Sequence, residues 1–88
     1  MNLGITLFYM KKYNESIERV KKAISINPNY PDSYFFLARG YEATNNPQMA
    51  IKNYNLFLDL VIEQENYSSY ISTARKSLAA LQGGSYNR

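Results

Sequence analysis

The sequence predicts an all-α fold in which one helical hairpin occurs twice and a further helix follows. Three observations predict it. Apolar residues recur at the spacing of one helix face, as in Tyr34, Leu37, Ala38 and Tyr41. The prolines Pro28, Pro31 and Pro47 fall between those stretches, where a residue without an amide hydrogen is tolerated. Sliding the chain by 34 residues lays Leu3 on Leu37, Gly4 on Ala38, Ser16 on Ala50 and Ile17 on Ile51, the self-similarity of a structural repeat. No comparable alternation supports a strand.

The elements follow in order. The first helix is predicted over about 2–12, and the second over 14–26 on a face of Ile17, Val20 and Ile24. Asn27-Pro28 ends it and Pro31-Asp32 opens the third, about 31–44, with proline in the first turn and a carboxylate favoured by the helix dipole. Asn46-Pro47 repeats the device for the fourth, about 47–63, whose face is Ala50, Tyr54, Phe57, Leu58 and Val61; Asn46 is expected to accept from the free first-turn amides. The fifth, about 67–82, carries Ile71, Ala74, Leu78 and Leu81, and Gly83-Gly84 closes it. Residues 1–82 therefore make one domain: a first copy of about 1–30 cut short at its start, a second of about 31–64 and a closing helix of about 67–82. Residues 83–88 are expected to be a flexible tail.

The chain has 88 residues, 45% hydrophobic and 19% charged, enough for a core and too little charge for disorder. It has no Cys, His or Trp. That excludes disulfides, imidazole and thiolate metal sites and nucleophile–histidine systems; no metal and no cofactor are expected. The acids Glu15, Glu18, Asp32, Glu42, Asp59, Glu63 and Glu65 are dispersed without a phosphate loop or metal motif, so no catalytic residues are assigned. Glu15 with Arg19 and Glu18 with Lys22 stand at i,i+4, as on a solvated helix face. The net charge of +3 is mild, and acids interleave the basic residues Arg19, Lys21 and Lys22, so binding of nucleic acid is not favoured. The start of the chain lacks a signal-peptide pattern and no stretch has the length of a membrane span. They leave the location unassigned, the cytoplasm being slightly favoured.

Further overlaid pairs are Leu7 with Tyr41, Val20 with Tyr54, Ala23 with Phe57 and Ile24 with Leu58. This period and pattern resemble the tetratricopeptide repeat: an aromatic, Leu-small, an aromatic, then a small residue, an aromatic and a closing proline. The second copy carries Tyr34, Leu37-Ala38, Tyr41, Ala50 and Tyr54, but has Ile62 in place of the proline, which predicts a longer helix. The first copy carries Leu3-Gly4, Leu7, Ser16, Val20, Ala23 and Pro28. The fifth helix keeps Ile71-Ser72 in register and has Arg75 where an aromatic belongs. The resemblance implies a short right-handed α-solenoid of two helix-turn-helix repeats plus a C-terminal capping helix, working as a non-catalytic interaction scaffold. The small residues Gly4 and Ala38 would let paired helices approach closely, and Gly40 is expected to mark tight packing rather than a ligand contact.

On the third helix Phe35, Arg39 and Glu42 form a second stripe beside the packing stripe, with Phe36 and Ala43 next to it. The resemblance implies a concave peptide groove lined by the first helix of each hairpin. Carried over, its walls would be Asn2, Ile5, Phe8 and Tyr9 from the first copy and Phe35, Phe36, Arg39, Glu42 and Ala43 from the second, flanked by Asn66 and Tyr70. The family's carboxylate clamp would need Lys, Asn and Arg where this chain has Ile5, Phe36, Asn66 and Tyr70, so an apolar or aromatic segment is the expected ligand. The competing reading is that Phe8, Phe35 and Phe36 pack against each other or the closing helix. A homodimer through Leu3, Ile5, Leu7 and Phe8, or a structural piece of a larger repeat array without an external ligand, is the alternative function.

Overall fold

The computed structural model describes residues 2–62 and 64–83. The described residues form α1 (Asn2–Tyr9), α2 (Tyr13–Ile26), α3 (Pro31–Ala43), α4 (Pro47–Leu60), a 3₁₀ turn at Glu65–Tyr67 and α5 (Ser68–Gly83). Each helix packs on the next in chain order, and α1 also meets α3. The side chain of Asn2, the residue Glu63 and the tail from 84 onward lie outside the described residues.

The repeat of 34 is visible in the backbone itself. A shift of 34 takes the ends of α2, Tyr13 and Ile26, to those of α4, Pro47 and Leu60, and the last residue of α1, Tyr9, to that of α3, Ala43. Both first helices stop the same way. Lys11 and Asn45 adopt left-handed φ values of 64° and 65°. The amide of Lys12 then reaches the Leu7 carbonyl at 2.9 Å and that of Asn46 the Tyr41 carbonyl at 2.8 Å, while Lys11 and Asn45 bond to Phe8 and Glu42. This closing motif satisfies the last carbonyls of a helix. It ends α1 at Tyr9, three residues before the position expected from periodicity.

Two other expectations are corrected. Helix α4 ends at Leu60 although Ile62 stands in place of a proline. The backbone turns at Val61, fully buried and at φ −113°, ψ 23°, where its amide is shared between the Phe57 and Leu58 carbonyls. Nor does the side chain of Asn46 cap α4. Its Nδ2 donates to Thr44 Oγ1 at 3.3 Å within the turn, and only its backbone carbonyl serves the helix, accepting from the Ala50 amide.

Within the first hairpin the helices touch at the small residues. A Cβ on Gly4 would lie 2.7 Å from Val20 Cγ2, and the buried Ser16 hydroxyl donates to the Gly4 carbonyl at 2.7 Å. The matching positions Ala38, Ala50 and Tyr54 are fully buried in the second hairpin. Gly40 serves the seam between hairpins, since a Cβ there would sit 2.8 Å from Ile17 Cγ1. Its roughly 1 kcal/mol helix penalty relative to Ala is thus offset by close approach. The loop joining the hairpins is tied by Tyr34, whose hydroxyl donates to the Pro28 carbonyl at 2.6 Å.

Candidate interaction surface

Helices α1, α3 and α5 share one side of the stack, and aromatic residues join them. Phe8 of α1 meets Phe36 of α3 edge to face at 5.8 Å, and Phe36 meets Tyr70 of α5 at 5.9 Å. Phe35 stacks flat on Tyr70, with centroids 4.3 Å apart and planes at 4°. Tyr67, at the foot of α5, donates to Asp32 Oδ1 at 2.5 Å. These contacts bring α5 against α3 as well as α4.

The expected groove residues consequently divide. Phe35 and Phe36 are 4% and 2% exposed, and Phe8 is buried too; the aromatic pair expected on the groove wall lies in the core, under Tyr70. This is the competing arrangement, in which the phenylalanines pack on one another and on the closing helix. Ile5 and Tyr70 are half-buried, and Asn66 and Ala43 are exposed. Tyr9 stands out at 69% exposed, its ring edge-on to Phe8 at 5.3 Å and to Phe36 at 6.2 Å. The half-buried Arg39 places its guanidinium over Phe8 at 5.3 Å and Phe35 at 5.8 Å, the geometry of a cation held on aromatic faces. Glu42 is engaged from below: it accepts from the hydroxyl of the fully buried Tyr54 at 2.6 Å.

Two contacts were missed from sequence, Tyr67 with Asp32 and the Phe35–Tyr70 stack. A signal for the second exists, since the 34-residue shift lays Tyr70 on Phe36. The local electrostatics keep the phenols protonated. Burial, then the bond to Glu42, pushes Tyr54 well above its ordinary value; burial, then the bond to Asp32, does the same to Tyr67. Burial raises Tyr70, and the Asp32 charge raises Tyr30. At neutral pH these groups donate hydrogen bonds rather than act as bases. Among the described residues no three His, Cys, Asp or Glu side chains gather as a metal cluster, and no helix is long and apolar enough to cross a membrane.

Compared with known proteins, residues 1–30 match the family model of the tetratricopeptide repeat. No curated protein matches the chain.

Proposed function

We propose that this chain, whose residues 1–30 match the tetratricopeptide repeat model, is a protein–protein interaction module that binds an apolar or aromatic segment of another protein, without catalysis, in the groove of a short solenoid. The observation that carries this reading is Tyr9, a largely exposed ring that shares the Phe8 ring with Arg39, whose guanidinium rests on Phe8 and Phe35. Aromatic and arginine side chains are the commonest anchors of binding energy. Ile5, Glu42 and Tyr70 are assigned to the rim of this surface, and the buried Phe35 and Phe36, on which Tyr70 and Tyr9 rest, to its floor. Arg39 supplies a planar cation for an acidic group or a ring of the ligand. Selection from a displayed peptide library against the wild-type chain, repeated with Tyr9→Ala and Arg39→Ala, tests it: enriched peptides should be apolar or aromatic and should lose binding to both variants.

A homodimer through α1 is the second reading. Leu3 is 48% exposed and borders a crevice of about 320 Å³ with Leu7, Glu15 and Arg19. Phe8 turns inward and leaves that patch. Sedimentation at rising concentration with Leu3→Glu as control decides it.

A further inference from the structure

The flank of α5 opposite its packed face repeats a surface that is covered elsewhere in the molecule. In α3, Leu37 and Ala38 are buried, and Leu37 with Tyr41 borders Met49, Asn53 and Leu56 of α4. A shift of 34 carries Leu37, Ala38 and Tyr41 to Ile71, Ser72 and Arg75 of α5. There Ile71 is half-buried, and Ser72 and Arg75 are exposed. The other flank of α5 is occupied, with Ala74 and Leu78 in the core. An open crevice of about 690 Å³ runs along Ser68, Ile71, Ser72, Arg75 and Lys76 and ends at Ile62, which is 80% exposed.

We infer that this crevice docks an amphipathic, acidic helix of a partner protein, laid on α5 as α4 is laid on α3. Two observations fix the occupant. The first hairpin joins at Gly4, Ser16 and Val20, and in the second the positions one repeat on, Ala38, Ala50 and Tyr54, are fully buried, so the shape that the matching flank of α5 offers is that for a helix. The charge fixes the rest. Arg75 replaces the apolar Leu7 and Tyr41, and Lys76 adjoins it; against these two cations the crevice lining holds one acid, Glu65, so the docked helix carries carboxylates where it faces Arg75 and Lys76. The first hairpin shows the template: Leu7 shares a crevice with Glu15, Glu18 and Arg19, Ser16 meets Gly4, and Val20 follows four residues later. The partner helix therefore has a small residue opposite Ser72, a large apolar residue one turn on, and acids flanking the small one. This site is distinct from the face of Tyr9 and Arg39 and does not depend on a ligand there.

The probe is a capped synthetic peptide with the sequence of residues 13–26, which holds Glu15, Ser16, Glu18 and Val20 in that register. Titrated into the full chain and followed by amide chemical shifts, it should perturb Ile62, Ile71, Ser72 and Arg75. Arg75→Glu should weaken it about tenfold, and a peptide with Lys in place of both acids should bind that variant better than the parent. Ser72→Gln, which fills the small position without changing charge, should also weaken it. Four outcomes overturn the inference: no shifts at millimolar peptide, shifts centred on α1 and α3, affinity indifferent to the charge swap, or concentration-dependent shifts of the same residues without peptide, which would make a second copy the occupant.

Discussion

Phe35 and Tyr70 lie 35 positions apart in sequence and stack as parallel rings 4.3 Å apart. The stack closes part of the side that α1 and α3 would otherwise present, and it makes α5 an integral wall. Phe35 also touches Phe36 and Phe57, so one side chain links three helices.

Phe35→Ala should accordingly act on the fold. Removing a buried phenylalanine costs about 3–5 kcal/mol, much of what a domain this small holds. Urea unfolding should show a large loss, whereas Tyr9→Ala should stay within about 0.5 kcal/mol of the parent. Equal effects of the two would refute the placement of Phe35 in the core.

Gly4→Ala should destabilise by about 1–3 kcal/mol, since the new methyl meets Val20 Cγ2 at 2.7 Å. Gly40→Ala should destabilise too, its methyl meeting Ile17 Cγ1 at 2.8 Å, an atom fixed by the same stiff χ1 as Val20 Cγ2; about 1 kcal/mol of regained helix propensity offsets part of each cost. Thermal unfolding of both variants checks this, and a Gly40→Ala chain more stable than the parent would contradict the close approach.

Lys11→Gly should stabilise by up to about 1 kcal/mol, because a side chain at φ 64° carries strain that glycine lacks. Asn45→Gly should gain less, asparagine being better tolerated in that conformation. A loss of stability in Lys11→Gly would contradict the helix-ending role of this residue.

The pH dependence follows from Tyr54 and Tyr67, both raised in the folded state, by burial first and then by Glu42 and Asp32 respectively. A raised pKa means that the folded chain holds the proton more tightly. The stabilisation is then fully present below the unfolded value of about 10 and is lost as pH climbs past it. Urea midpoints should be flat from neutral pH to about 9.5 and fall above 10, with a shallower fall in Tyr54→Phe. A midpoint that declines already at pH 8 would assign the loss to other groups.

The helices and their register were legible because periodicity and repetition are local or self-referential. Leu3 on Leu37 and Ser16 on Ala50 locate the seams without any knowledge of the third dimension. The ends of α1 and α4 were harder. Lys11 is no signature of a left-handed residue, and nothing in Val61 marks it as the place where the backbone leaves α4. Least legible was which stripe of α3 is covered. Phe35, Arg39 and Glu42 have the same spacing whether they face a ligand or α5, and only the docking of Tyr67 and Tyr70 separates the phenylalanine from the arginine.

The central claim, binding of an apolar or aromatic segment at Tyr9 and Arg39, is tested most directly by amide chemical-shift mapping with the strongest library-selected peptide at low and moderate salt. Tyr9 and Arg39 should be perturbed first, Lys21 and Lys52 on the far side should stay still, and affinity should change little with ionic strength. Perturbation centred on Lys21 and Lys52, or affinity that collapses with salt, would contradict it.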